Sequence, residues 1–121
     1  MRIKQVDDLL GIDRETIRFY IREGLLSPKQ SSNRYREYTD EDVRQLKRIL
    51  IMRDLEMSVA DIRGVLAGET DFVSELKNSS DLLSEKQAAV TDSIRICNEL
   101  MQSGGTAFDP ERYFRRRERT A

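Results

Sequence analysis

The fold of this chain is decided by residues 13–26, DRETIRFYIREGLL. Asp13 can cap the start of a helix and Gly24 can end one, which predicts a short helix between them. Ile17 and Ile21 are four residues apart, so they share one face and point toward a core. The other side carries hydrogen-bond donors suited to a polyanion, and its candidate DNA contacts are Thr16, Arg18, Tyr20 and Arg22.

A first helix precedes this one. Residues 3–10 place Ile3, Val6, Leu9 and Leu10 at helical spacing, and Gly11 stands where a left-handed residue ends a helix. Asp13 caps the next helix only two residues later. Two short helices joined by such a turn predict a helix-turn-helix.

A basic ribbon follows the second helix. Residues 27–29 and 35–38 predict two short strands, and the polar residues 30–33 predict the turn between them. We call residues 27–38 the wing. Its candidate DNA contacts are Lys29, Arg34, Tyr35, Arg36 and Tyr38. For Tyr20 and Tyr38 a core position, with the ring packed inside, stays open as an alternative.

Two further helices and one long helix complete the pattern. Thr39 with acidic residues behind it, and Ser58 with Asp61, are helix starts. From residue 70 apolar or small residues recur in alternating steps of three and four, which is a heptad repeat. No matching stripe exists elsewhere in the chain, so we expect this helix to pair with a second copy. The expected dimer contacts are Val73, Leu76, Leu83, Val90, Ile94, Cys97 and Met101.

Composition excludes several classes of function. The chain has no histidine and one cysteine, so it lacks the common general acid-base group and a set of metal ligands. We therefore expect no catalytic residues, no metal and no cofactor, and we interpret Cys97 as a small apolar seam residue. We expect no membrane span and no signal peptide. A single cysteine fits a reducing cytosol, so we expect a cytoplasmic protein.

The formal net charge of −1 conceals an uneven distribution. Residues 1–57 hold 12 lysines and arginines against 11 acids, residues 58–109 hold 4 against 9, and residues 110–121 hold 5 against 2. DNA-binding domains are usually strongly basic, so the overall balance counts against this function. The placement of charge on particular faces decides the matter, and the acids of the first segment are expected to lie away from the recognition face.

The combined motifs resemble the MerR family of bacterial transcription regulators. The matching residues are TIRFY at 16–20, GLL at 24–26, YREY at 35–38 with Asp42 behind them, and SVADI at 58–62. Three departures stand out, since Phe19 replaces a commoner tyrosine and Arg34 and Glu56 occupy positions where the family often has glycine. The resemblance implies a mainly α fold, with a winged helix-turn-helix DNA-binding domain followed by a long antiparallel coiled-coil dimerisation helix.

The resemblance also implies roles for particular residues. Arg18 and Tyr20 would contact DNA in the major groove and along its backbone, while Arg36 and Tyr38 would contact flanking phosphates or the minor groove. A homodimer would bind double-stranded promoter DNA, bend and undertwist it, and so act with RNA polymerase. We expect residues 1–68 to bind DNA, residues 70–103 to dimerise and residues 104–121 to form a tail.

Two alternatives remain open from the sequence. One is an architectural or chromosome-organising DNA-binding protein without promoter control, and the other is a protein-interaction module built on the coiled coil. The tail is expected to form either a short ordered hook or a disordered end, and its arginines either touch DNA or are solvated. A further C-terminal domain beyond this chain is also a hypothesis, since no effector-binding domain is evident. The sequence does not reveal the operator, the effector, or whether the regulator activates or represses transcription.

Overall fold

The computed structural model describes residues 1–116 and is mainly helical, as predicted. Arginines 117 and 119 of the expected tail lie outside the described residues. Within the described part, the elements follow the predicted order. They are α1 (Ile3–Leu10), α2 (Arg14–Arg22), β1 (Lys29–Gln30), β2 (Arg36–Glu37), α3 (Asp40–Asp54), α4 (Val59–Leu66), α5 (Phe72–Gln102) and α6 (Pro110–Tyr113).

Contacts within the chain divide it into two compact units, Met1–Leu83 and the residues from Ser84 onward. The first unit includes residues 69–83, which follow the expected end of the DNA-binding domain at residue 68, and that boundary stays a prediction. One reason for this inclusion is that Leu76, near the start of α5, packs partly against the core of this unit. Within residues 1–116, no helix is both long and apolar enough to cross a membrane.

The core of the first unit is built from all four of its shorter helices and the turns that join them. Each fully buried aliphatic side chain stabilises the fold by roughly 1.5–3 kcal/mol relative to an exposed one. The largest fully buried side chains are Val6, Ile17, Leu46, Ile49, Met57 and Ile62. One expected member is absent, because Leu9 is 57% exposed and only the other three apolar residues of α1 face the core.

Helix ends follow the predicted capping residues. Gly11 ends α1 with a φ of 66° in the left-handed region, and the Asp13 carboxylate accepts a hydrogen bond from the Glu15 N–H at 3.3 Å. Thr39 and Asp42 form a reciprocal capping box at the start of α3. The Ser58 hydroxyl accepts from the Asp61 N–H at 3.1 Å and starts α4. These local bonds fix where each helix begins and so fix the length of the connections between helices.

The second unit contains the C-terminal part of α5 and an ordered hook, which we define as residues 104–116. Gly104 and Gly105 have φ values of 64° and 83° and end the long helix. The Tyr113 hydroxyl then donates to Glu99 at 3.0 Å, and Arg115 lies 2.9 Å from Asp92. The sequence left open whether the tail forms a short ordered hook or a disordered end. Its described part, up to residue 116, forms the hook.

Candidate nucleic-acid interface

The exposed side of α2 carries three of the four residues that the sequence predicts for DNA contact on this helix. Arg18 and Arg22 are exposed and Thr16 is half-buried, while Ile17 on the opposite side is fully buried. Arg18 donates to the Glu15 carboxylate one turn earlier at 2.6 Å. Both groups of that pair are largely exposed, so the pair is worth little and leaves the guanidinium free to exchange partners.

The sequence left two positions open for Tyr20, an exposed DNA contact and a core position, and the structure has Tyr20 in the core. Its side chain is 5% exposed and belongs to the hydrophobic core, because it projects from the same side of α2 as Ile17. Phe19 is 37% exposed and packs at a tilt against Tyr20, with ring centroids 5.6 Å apart. Of these two rings, Phe19 is the one at the surface.

The wing is a two-stranded antiparallel ribbon with a tight tip. Lys29 pairs with Glu37 and Gln30 with Arg36. The first strand therefore begins two residues later than predicted and includes Gln30, which the sequence placed in the turn, and the second strand is shorter than predicted by one residue at each end. Ser31 closes the tip, with its N–H donating to the Tyr35 carbonyl at 2.7 Å. Four predicted contacts of the wing are exposed, namely Lys29, Arg34, Tyr35 and Arg36.

Tyr38 is the exception among the wing residues. Its side chain is 2% exposed and lies in the core, and its hydroxyl has no hydrogen-bond partner among the described residues. A buried polar group without a partner costs about 1–3 kcal/mol. Burial raises the pKa of the Tyr38 hydroxyl, partly opposed by the charges of Arg36 and Arg18, so the group stays protonated at neutral pH.

A cavity of about 380 Å³ lies where α1, α2 and the wing meet. Five cationic side chains and no carboxylate line it, and we call it the basic pocket. Its charged lining consists of Arg2, Lys4, Arg18, Arg34 and Arg36. Tyr35 and Tyr38 also line it. The pocket brings together the exposed face of α2 and the wing, which are separate in sequence.

Arg2 and Lys4 were missed by the sequence interpretation. The Tyr38 N–H donates to the Met1 carbonyl at 2.7 Å, so the start of the chain lies beside the wing. Arg2 consequently lies 3.5 Å from Glu37, and its guanidinium stands 4.6 Å from the centroid of the Tyr35 ring. The spacing around Ile3 marks both residues as exposed, but no local signal relates them to a ribbon some 30 residues later.

The C-terminal end of α2 is held by a residue of α4. Arg63 donates two hydrogen bonds to the Glu23 carbonyl, at 3.1 and 2.9 Å, and a third to the Glu23 carboxylate at 2.8 Å. A cation bonded to the last carbonyls of a helix is favoured by the helix dipole. Arg63 therefore helps to fix the orientation of the helix that carries Arg18.

The expected dimer contacts lie along α5. Val73, Val90, Ile94 and Met101 are 56–71% exposed, which is unusual for large apolar side chains on one helix. Cys97 is exposed and Leu83 is half-buried. Leu76 differs, since it packs partly against the core of its own unit. Their participation in a dimer stays a prediction.

The chain is similar in sequence to known regulators. Residues 1–69 match the family described as MerR HTH family regulatory protein. HmrR, an HTH-type transcriptional regulator of Rhizobium leguminosarum bv. viciae, is 30% identical over 103 residues, which cover 85% of this chain and 80% of that protein.

Two solved structures share the fold. A MerR-family transcriptional regulator from Bacillus cereus superposes with a TM-score of 0.76 at 17% identity, covering 90% of this chain and 85% of that one. HiNmlR, a MerR family regulator lacking the sensor domain and bound to promoter DNA, gives a TM-score of 0.66 at 17% identity, covering 92% and 97%.

Proposed function

The chain belongs to the MerR family of helix-turn-helix regulatory proteins, and on that basis we propose that it binds promoter DNA as a homodimer. The observation that supports this most is the convergence of α2 and the wing on the basic pocket, whose charged lining is entirely cationic. Phosphate contacts by lysine and arginine supply most of the affinity of a protein for duplex DNA. The solved structure of HiNmlR on promoter DNA has the same fold.

We propose that residues 1–68 bind DNA and that residues 70–103 form the dimer. Arg18 and Arg22 on α2 would enter the major groove, with Thr16 beside them. Lys29, Arg34 and Arg36 of the wing would bind flanking phosphates, and Tyr35 would lie against the backbone. Tyr20 is a core residue that supports α2, since its ring is buried.

The proposed mechanism is deformation of the promoter. Two copies joined through α5 would place two basic pockets on one duplex, and bending and undertwisting the spacer would bring promoter elements into register for RNA polymerase. The deformation is repaid by the contacts that it permits. Relatives named as transcription regulators support promoter control over an architectural role, and over an enzyme. A regulator of this kind works in the cytoplasm, where we expect this chain.

Bending of the promoter can be tested by gel electrophoresis. Bound promoter fragments that carry the site at different positions should migrate differently, and equal mobility would count against bending.

The test of DNA binding is the substitution Arg18→Ala. We expect promoter affinity to fall by about 1–3 kcal/mol if a bidentate base contact is lost. Fluorescence anisotropy on the DNA upstream of the protein's own gene measures the effect. The matched control is Arg44→Ala on α3, because Arg44 also pairs with a glutamate three residues earlier and lies outside the basic pocket. A folded Arg18→Ala variant with wild-type affinity would exclude Arg18 from the interface.

A further inference from the structure

We propose that the contact of Gly64 with Thr70, in the turn between α4 and α5, sets the separation of the two DNA-binding units in the homodimer and hence the half-site spacing that the protein accepts. This inference rests on the proposed function. We call residues 64–71 the α4–α5 junction. The junction lies outside both the basic pocket and the heptad seam, so the role assigned to it needs no contact with DNA or with the second copy.

Gly64 lies inside α4, where glycine is less favourable than alanine. Its φ is not positive, so a left-handed conformation does not require glycine at this position. The space around Gly64 does require it. A β-carbon added to Gly64 would lie 2.3 Å from the Thr70 Oγ1 atom and 3.3 Å from the Thr70 Cβ atom. The glycine therefore permits Thr70 to pack directly against the backbone of α4.

Backbone hydrogen bonds hold this close approach. The Gly64 carbonyl accepts from the Glu69 N–H at 2.9 Å and from the Thr70 N–H at 3.2 Å. The Gly68 N–H donates to the Val65 carbonyl at 3.1 Å, and Gly68 has a φ of 71°. The bonds of Gly68 and Glu69 form the Schellman motif that ends a helix. The further bond of Thr70 folds the chain back over the last turn of α4.

Helix α5 begins directly after the junction. The Asp71 carboxylate accepts hydrogen bonds from the Ser74 N–H at 3.2 Å and the Ser74 hydroxyl at 2.7 Å, which fixes the first turn of the helix. Leu76 packs against the core, and Ser79, three residues later on the same face, is only 6% exposed. The direction in which α5 leaves the DNA-binding unit is therefore fixed by the junction and by the first two turns of α5.

The length of α5 amplifies any change in this direction. The segment Phe72–Leu83, which belongs to the same compact unit, spans about 17 Å at about 1.5 Å per residue. A tilt of about 10° at the junction would displace Leu83 by about 3 Å, and two copies would double the displacement. One base pair advances a duplex by about 3.4 Å, and the spacing of half-sites follows the geometry of the bound dimer. A small tilt at the junction is therefore equivalent to about one base pair of spacing.

The inference is tested with duplexes that differ in half-site spacing. One duplex has the natural spacing of the operator upstream of the protein's own gene, and the others have one base pair more or one less. The wild-type protein should bind the changed spacings about tenfold more weakly, because one base pair both shifts and rotates a half-site. Fluorescence anisotropy measures the affinities, and an isolated half-site reports on the DNA-binding unit alone.

Gly64→Ala should abolish the preference for the natural spacing, because the added methyl group meets the Thr70 side chain and forces the junction apart. We expect affinity for the natural spacing to fall about tenfold, to or below that for one neighbouring spacing, with affinity for the isolated half-site unchanged. The matched control is Ala60→Ser, which adds one heavy atom at an exposed position of the same helix and should keep the wild-type profile.

Thr70→Ala tests the junction from the other side of the contact. It loosens the packing on Gly64, so the ratio of affinities between natural and changed spacings should fall about threefold. Gly64→Ala combined with Thr70→Ala moves a heavy atom from one side of the contact to the other and should restore most of the wild-type profile. Such a rescue is expected only where two residues act through a shared contact. If Gly64→Ala does not fold, Thr70→Ala and the double variant still decide the matter.

The outcomes separate the junction from the proposed function. A wild-type spacing profile in both single variants would overturn the role of the junction. An equal loss of affinity on every duplex, the isolated half-site included, would also overturn it, because that pattern indicates destabilisation alone. Sedimentation velocity should show every variant as a dimer, and a monomeric variant would assign the effect to association instead. If the wild-type protein binds no duplex, or binds all spacings and the half-site equally, the proposed two-sided dimer fails as well.

Discussion

Glu56 and Arg34 have left-handed backbone conformations, with φ values of 70° and 68°. This conformation costs a residue with a side chain roughly 1–2 kcal/mol, and glycine adopts it without that cost. The resemblance to the MerR family predicts glycine at both positions, and both backbones keep the left-handed conformation with another residue in place. At Arg34 the substitution places a cation in the lining of the basic pocket.

The residue-scale prediction concerns Glu56→Gly. We expect Glu56→Gly to exceed Glu56→Ala in unfolding free energy by about 0.5–1 kcal/mol, because both variants lose the contacts of the Glu56 side chain and only glycine is relieved of the left-handed strain. Glu56→Asn should give a smaller gain, since asparagine tolerates this region. Chemical denaturation provides the measurement.

The control for this prediction is Glu69→Gly, at an exposed loop position whose φ is not positive. There glycine should be slightly less stable than alanine. If Glu56→Gly were no more stable than Glu56→Ala, strain at Glu56 would not explain the turn.

At the scale of elements, α2 is held at both ends. Asp13 caps its start, and Arg63 of α4 binds its last carbonyl and the side chain of Glu23. Between the two ends, Ile17 and Tyr20 anchor the helix in the core. The orientation of Arg18 toward the wing therefore depends on contacts with α4 that lie far from the basic pocket in sequence.

The element-scale prediction is that Arg63→Ala loosens α2. We expect a loss of about 1 kcal/mol in unfolding free energy, because both partners are roughly half exposed and solvent weakens the pair. DNA affinity should fall as well, since α2 loses a fixed orientation. Thermal unfolding and anisotropy measure the two effects.

Arg48→Ala is the matched control for Arg63. Arg48 binds Glu41 at 2.9 Å within a single helix, so its loss should leave the position of α2 unchanged. Arg63→Lys keeps the charge but not the three hydrogen bonds, and should be intermediate. Equal DNA affinities of the alanine variants would refute the positioning role.

At the scale of the whole molecule, α5 leaves several large apolar side chains exposed to solvent. Val73, Val90, Ile94 and Met101 are each more than half exposed. Their heptad spacing suits a second copy of the same helix, and a dimer would bury them. Ser80 and Gln87 interrupt the apolar seam in its middle, and polar seam residues of this kind can fix the register of a pair.

The molecule-scale prediction is that Leu83→Asp combined with Val90→Asp dissociates the dimer. Two charges in the seam of each copy cannot be buried without partners, so association should be lost. Sedimentation velocity measures this, and affinity for a two-sided promoter site should fall with it.

The control carries the same added charge away from the seam, as Asn78→Asp with Ala89→Asp, at exposed positions of α5. It should remain dimeric. A dimer that survives the seam variant would show that α5 associates through another face, or that the proposed assembly is wrong.

The sequence by itself determined the order of the elements and the starts of the helices α1 to α4. Helix α1 has the predicted bounds, the caps at Asp13, Thr39 and Ser58 form as expected, and the wing lies where the Arg/Tyr pattern placed it. These features depend on hydrogen bonds and side-chain periodicity within a few residues, and such short-range patterns can be recognised in a single sequence.

Only the tertiary structure decided which groups meet. It buried Tyr20 and Tyr38, exposed Leu9, brought Arg2 and Lys4 beside the wing, and joined Arg63 to the end of α2. Each of these outcomes depends on the angle at which one element crosses another, and that angle is set by packing in the shared core. Because residue spacing along the chain carries no record of those angles, the basic pocket was not evident before its three elements were seen together.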